Sequence, residues 1–288
     1  MIWRMIATIM ILLPIIILAI IQGITEFLPI SSSGHLVLAH AFLQEDGLTS
    51  ELAQKRLDIA VHMGTLLAVI LYFYKDFGDL VAGTFALALR RDTIKAKKTR
   101  LVIIASVPVI VCGLVLFLID PTFFDSLEVI AWMTIIFGLA LYLTDKSPER
   151  TVTIEQYSWK EALIIGVSQC FALIPGVSRS GITMTAGRFL GHSRVEAARF
   201  SLLLGMVTIG AAGLLTGLSL FEDQTLTKDF LTILGTGVAI SFMTAYAAIF
   251  IMMRWLKNNS FKPFVIYRLI MGIALLVLLY SGIIPENI

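Results

Sequence analysis

Six stretches of this sequence stay apolar for about 20 residues at a time, the length an α-helix needs to cross the hydrocarbon core of a bilayer. They fall at roughly 57–74, 101–118, 127–143, 199–220, 230–253 and 264–284. Backbone in lipid must satisfy its own hydrogen bonds, so such runs fold as helices. Composition agrees. Of 288 residues, 58% are hydrophobic and 15% charged, and mean hydropathy is +0.90. Soluble domains carry roughly a quarter charged residues and leave much surface wet. A soluble enzyme, a disordered chain and a collagen-like fibre are excluded. The chain reads as an all-α polytopic membrane protein, one integral membrane domain over 1–288.

The net charge of +2 is spread over short loops, with no patch of the kind that binds nucleic acid. Two cysteines, Cys112 and Cys170, are too few for a disulfide framework or a four-ligand zinc site. The N-terminal apolar run lacks the small-residue end of a cleavable signal peptide.

Two further apolar regions are broken. One, about 5–43, is interrupted at Glu26-Phe-Leu-Pro-Ile-Ser-Ser-Ser-Gly34; the other, about 161–190, at Pro175-Gly-Val-Ser-Arg-Ser-Gly181. The pieces of the second are too short to span, which predicts a re-entrant hairpin of two half-helices; residues 5–24 are long enough to span alone. The regions echo each other. Gly23-Ile-Thr-Glu26 matches Gly166-Val-Ser-Gln169, Pro29-x-x-Ser32 matches Pro175-x-x-Ser178, and Arg56 matches Arg199, at offsets of 143 to 146 residues. The expectation is an inverted-topology repeat, about 1–145 and about 155–288, each half a hairpin followed by three spanning helices.

Charge orients the chain. Lys75, Arg90, Arg91, Lys95, Lys97, Lys98 and Arg100 share one loop; Lys146, Arg150, Lys160, Arg254, Lys257 and Lys262 share two others. Asp120, Asp125, Glu222, Asp223 and Asp229 fall in the alternate loops. The positive-inside rule makes the basic loops cytoplasmic and puts the first hairpin on the outer side. The stretch 79–90 reads as a helix lying at the surface.

Ionisable residues inside membrane segments are functional candidates. Gln22 and Glu26 share a helix face just before Pro29 ends the helix. Ser31-Ser32-Ser33-Gly34-His35 opens the next half-helix, and Ser178-Arg179-Ser180-Gly181-Ile182-Thr183 opens its counterpart. Free N–H groups at helix starts bind anions, and the fork of an arginine pairs with phosphate oxygens. Two such starts with Arg179, Glu26 and His35 can converge on one phosphate-bearing ligand. The plainer reading is a pair of capped kinks with a Glu26–Arg179 bridge that specifies the fold. His40, His62 and His192 lack such company and read as structural or interfacial.

Gln22-Gly-Ile-Thr-Glu26-Phe-Leu-Pro-Ile-Ser-Ser-Ser-Gly-His35 and Pro175-Gly-Val-Ser-Arg-Ser-Gly-Ile-Thr183 resemble the signature motifs of the undecaprenyl-diphosphatase family, the bacitracin-resistance proteins. The likeness continues at Arg199-Phe-Ser-Leu-Leu-Leu and Pro263-Phe-Val-Ile-Tyr-Arg268. The resemblance implies a phosphatase of the bacterial inner membrane, its active site toward the periplasm. It would remove one phosphate from a C55 lipid diphosphate, depend on a divalent cation such as Mg²⁺ or Ca²⁺, and often be a homodimer. Carried over, Glu26, Ser32, His35 and Arg179 match the catalytic positions, and Glu26 is the candidate metal ligand. Gln22 stands where a second carboxylate would otherwise be. Gln22, Ser31, Ser33, Ser178, Ser180 and Thr183 are the expected substrate contacts. The phosphatidic-acid phosphatase pattern fails, because the histidine it needs after the Ser-Arg pair is Thr185.

The expected chemistry is hydrolysis, with Ser32 as nucleophile or phosphate-positioning hydroxyl and His35 as a nearby general base or acid. Glu26 either binds a cation or activates water or Ser32. A transporter or flippase of a phosphorylated lipid is the rival, since broken helices serve alternating access equally well.

Overall fold

The structure is a computed structural model. It describes backbone for residues 2–43, 51–119, 126–220 and 228–284, with side chains left undescribed at 1–12, 37, 40–55, 117 and 215–230. Asp120, Asp125, Glu222 and Asp223 therefore lie outside the described residues.

Eleven α-helices are found among the described residues: α1 Ile2–Thr25, α2 Ser32–Leu43, α3 Glu51–Tyr72, α4 Tyr74–Ala88, α5 Ile94–Ile119, α6 Leu127–Asp145, α7 Trp159–Gln169, α8 Arg179–Phe189, α9 Arg194–Leu220, α10 Lys228–Leu256 and α11 Lys262–Tyr280. Five of them (α5, α6, α9, α10 and α11) are long and apolar enough to cross a membrane. The pair α3–α4, bent by 91° at Phe73, passes the same test of length and apolarity only when its two helices are taken together. The stretch expected at 79–90 is a helix that runs from Tyr74 to Ala88, set across α3 by that bend.

Local chemistry accounts for the helix ends. Ser158 and Glu161 cap each other's backbone to start α7. Pro263 opens α11, where a missing N–H costs nothing. After Thr25 the chain turns through Pro29, which has no proton for a continuing helix.

α7 and α8 have 11 residues each, about 16 Å at 1.5 Å per residue, half a bilayer core. α1 is different: it runs for 24 residues with Pro14 inside it, so the two broken regions are not of equal length. The second break is locked onto α6. Gly176 has φ +92, and a Cβ there would lie 2.3 Å from the Ile130 carbonyl oxygen.

The largest core cluster runs through Phe27, Ala105, Ile165, Met184, Leu203 and Ile249, joining both broken regions to the long helices. The outer faces are apolar too: Leu114, Leu118, Ile251 and Ile270 are all more than half exposed. Water would not tolerate so many, whereas lipid does.

Candidate functional site

Each break is followed by a half-helix, and the residue before each carries the same backbone strain. Ser31 has φ 70 and Ser178 φ 71, a left-handed conformation that is uncommon for residues other than glycine. In each case the hydroxyl sits 3.2 Å from that of the serine two residues on, Ser33 and Ser180. Backbone therefore matches Ser31 with Ser178, an offset of 147 (178 − 31) rather than the 146 given by the prolines. The first helical residues, Ser32 and Arg179, become counterparts.

Both reach Glu26. The Ser32 hydroxyl donates to Oε2 at 2.8 Å, and Arg179 Nη2 donates to Oε1 at 3.2 Å. Gln22 Nε2, one turn earlier on α1, donates to Oε2 at 2.9 Å. Glu26 is 8% exposed, so its charge depends on these donors. Arg179 is held in turn: Nη1 donates to the Ser201 carbonyl at 3.1 Å, the guanidinium lies 5.7 Å from the Phe27 ring centre, and α9 passes close enough at Gly205 that a Cβ there would strike it.

An apolar groove of about 430 Å³ is lined by Ile24 and Leu28 from the first broken region and by Ala248, Ile251, Trp255 and Phe264 from α10 and α11. Ile24 is exposed where Gln22 and Glu26 are buried, so the groove wall and the carboxylate face different ways at the end of α1. Thr244, also on the groove, turns its hydroxyl back to the Ile240 carbonyl at 2.8 Å.

A sequence model of the family described as Bacitracin resistance protein BacA matches residues 15–274. An undecaprenyl-diphosphatase of Jannaschia sp. (strain CCS1) is 45% identical over 276 residues, covering 94% of this chain and 99% of its own. Undecaprenyl-diphosphatase 1 of Pseudoalteromonas translucida is 42% identical over 271 residues, covering 93% and 98%. The undecaprenyl-diphosphatase of Roseobacter denitrificans is 41% identical over 278, covering 94% and 100%. The chain belongs to the bacitracin resistance protein BacA family.

Within this BacA-family chain the residues singled out from sequence divide sharply. Glu26, Gln22, Ser32 and Arg179 form one bonded cluster. His35 does not turn to Ser32. Its Nδ1 bonds the Ser31 carbonyl at 2.6 Å and its Nε2 the Tyr267 hydroxyl at 2.6 Å, with the two rings stacked at 5.6 Å. The helix makes this so, because a side chain on the first turn points back toward the preceding residues. The pairing of His35 with Ser32 is therefore replaced by a pairing of Ser32 with Glu26.

Ser178, Ser180 and Thr183 do not present free hydroxyls. Ser178 Oγ caps Gly181 N at 3.1 Å, Ser180 Oγ donates to the Leu28 carbonyl at 2.8 Å, and Thr183 Oγ1 donates to Ser201 Oγ at 2.7 Å. All three are buried. They tie the second break to the first and to α9 instead of facing a ligand. Of the first break's serines, Ser31 is buried, Ser32 half-buried and Ser33 exposed.

Two residues were missed. His62 on α3 places Nε2 3.8 Å from Glu26 Oε2, so it belongs beside the cluster and not to a packing surface. A histidine inside an apolar span was itself the signal. Tyr267 had none, since a tyrosine on a spanning helix is ordinary. His192 does read as structural: it is fully buried against Tyr157, ring centres 3.7 Å apart. The side chain of His40 lies outside the described residues.

The donors also bear on a cation. Among the described residues no group of three His, Cys, Asp or Glu side chains is arranged to hold a metal ion. One carboxylate is present, with the Gln22 Oε1 atom beside it buried and unpartnered. Two hard oxygens fit a Mg²⁺ or Ca²⁺ that shares its remaining places with phosphate and water, not one caged by protein.

Proposed function

We propose that this chain is an undecaprenyl-diphosphatase whose reaction centre is the Glu26–Ser32–Arg179 cluster. It hydrolyses the C55 lipid diphosphate to lipid monophosphate and phosphate, recycling the carrier for cell-wall synthesis and so conferring bacitracin resistance. The observation that carries the site is the grip on Glu26. The first residues of two half-helices, Ser32 and Arg179, take opposite oxygens of a single buried carboxylate.

Glu26 Oε2, already accepting the Ser32 proton, is the base. As that proton passes to Glu26, Ser32 Oγ attacks the terminal phosphorus, the anhydride P–O bond breaks, and its electron pair leaves with the lipid monophosphate. Glu26 releases that proton to solvent; water then attacks the phosphoserine and passes a proton to Glu26, the Ser32 Oγ–P bond breaks, and Glu26 returns the proton to Ser32 Oγ as phosphate departs. Arg179 and the N–H groups opening α2 and α8 stabilise the charge on the equatorial oxygens. His35 is left for the acid's part at the leaving oxygen, reached through the Tyr267 hydroxyl. Glu26 and Gln22 Oε1 would hold a divalent cation, which supplies charge neutralisation on the diphosphate. The apolar groove at Ile24 and Leu28 supports a lipid substrate.

The two halves are read as an inverted repeat in the inner membrane. Matched strain at Ser31 and Ser178 supports this, as does the exchange of partners: α1 packs on α10 where α7 packs on α5, and α3 meets α9 as α6 meets α11. With the basic loops inside, the reaction centre opens outward. Cysteines placed at Lys97 and Asp223 test this in intact cells; an impermeant reagent should label 223 alone, and labelling at 97 overturns the orientation. Function is tested by phosphate release from purified protein given a prenyl diphosphate without any gradient. Release at the rate of a catalyst supports the enzyme; binding without release returns the assignment to a transporter.

A further inference from the structure

α11 brings one more arginine to the two breaks, Arg268, which is 0% exposed. Nε donates to the Thr134 carbonyl at 3.0 Å. Nη1 donates to Val177 at 3.0 Å and Pro29 at 3.4 Å, Nη2 to Gly176 at 3.0 Å and Met133 at 3.4 Å. Every partner is a main-chain carbonyl, and between them they come from the first break, the second break and α6. Among the described residues its polar partners include no carboxylate.

Scaffolding alone does not call for a charge here. Burying a cation without a counter-ion is costly, and neutral donors would tie carbonyls together more cheaply. The location makes the cost greater. A Cβ on Gly181 would lie 2.8 Å from Arg268 Nη1, so the guanidinium abuts the first turn of α8. That turn already carries the positive end of a helix dipole. Two like potentials are stacked behind the two breaks, while the nearby carboxylate, Glu26, is taken up by Arg179 and Ser32. The arrangement gains energy when an anion sits in front of it.

We propose that Arg268 is a positioning residue of the diphosphate site. It ties the Pro29 turn to the Gly176–Val177 turn, which fixes Ser32 relative to Arg179, and its unneutralised charge keeps the start of α8 positive for the incoming phosphates. This rests on the reading that the two breaks form that site.

Kinetics and melting of purified Arg268→Lys, Arg268→Gln and Gly138→Ala with a C15 prenyl diphosphate, together with inhibition by inorganic pyrophosphate, test it. Lysine keeps the charge but, with a single nitrogen, cannot hold the carbonyls of both breaks and of α6 together. Arg268→Lys should lower kcat roughly 10- to 100-fold while KM and pyrophosphate inhibition stay near wild type. Arg268→Gln should lower kcat as far and also weaken KM and pyrophosphate inhibition roughly 10-fold. Gly138→Ala is the gentle probe, because its Cβ would stand 3.2 Å from Arg268 Cβ and 3.4 Å from Nε. It should lower kcat about 3- to 10-fold with KM unchanged.

A cooperative melt with wild-type kcat and KM in both Arg268 variants overturns the proposal. So does a loss of turnover that merely follows the folded fraction. If neither arginine variant folds, Gly138→Ala decides, and an unchanged kcat there overturns it. Glu26→Gln run alongside separates the failures. If it too keeps turnover, the site reading falls; if it is inactive while the Arg268 variants are normal, only this proposal falls.

Discussion

At the first break Ser33 is exposed, Ser32 half-buried, and His35 reaches out to a tyrosine on α11; at the second, Ser178, Ser180 and Thr183 are buried and bonded to protein. Both breaks share the strained serine and the serine pair 3.2 Å apart. The difference lies in where the hydroxyls point. The first break presents reactive groups. The second uses its hydroxyls on its own helix start, on α9 and, through Ser180, on the first break, and contributes one cation, Arg179. Closely matched backbone devices carry exposed hydroxyls at one break and buried, bonded ones at the other.

The sharpest way to break this comparison is at the residue both halves hold. Glu26→Gln keeps the shape and removes the base, so turnover should fall by roughly 10³-fold, within the range general-base removal costs, with the melting temperature little changed. A folded variant with near-normal turnover would end the case for Glu26. Next comes the clamp's cation. Arg179→Lys retains charge but loses the two-pronged grip, and turnover should fall by about 10²-fold, the scale of losing one strong transition-state donor. Wild-type turnover in that variant would make Arg179 a structural counter-ion.

Matched serines sharpen the division itself. Ser180→Ala leaves the Leu28 carbonyl without its donor, and should cost about 1–2 kcal/mol of stability. Ser33→Ala should leave melting untouched and raise KM. Reversed outcomes would mean that the roles of the two breaks are exchanged.

The smallest effect is just beyond α8, at His192. Burial of His192 beside Tyr157 and near Arg150 and Arg188 lowers its pKa to about 4. Unfolded histidine takes up a proton near pH 6.5. Stability is therefore complete above about pH 6.5 and declines as pH falls toward 4, by about 1–2 kcal/mol at pH 5. His192→Phe should keep the ring stack and flatten the pH dependence of melting; an unchanged slope would place the titration elsewhere.

Much was legible in the chain because lipid imposes simple rules. The long spans follow from apolar length, and the two breaks from proline, glycine and serine inside apolar runs. Glu26, Ser32 and Arg179 stood out because charge and hydroxyls at membrane depth are expensive. His35 was found but wrongly partnered, since three residues of separation say nothing of which way a first-turn side chain leans. His62 and Tyr267 arrive from α3 and α11, helices whose rotation about their axes no local pattern encodes.

Sequence by itself determined that this is a helical membrane protein of the BacA family, broken twice, with its polar residues gathered at the breaks. The helical, membrane-spanning character follows from composition and spacing, which act locally along the chain, and the family from the match of its motifs and sequence. Only the tertiary structure decided that Ser32 and Arg179 take opposite oxygens of Glu26, that Ser180 crosses to Leu28, and that Arg268 lies beneath both turns. The physical reason is that a buried hydrogen bond joins whichever donor and acceptor packing brings within 3 Å or so. Between residues more than a hundred positions apart, only the docking of helices sets that distance.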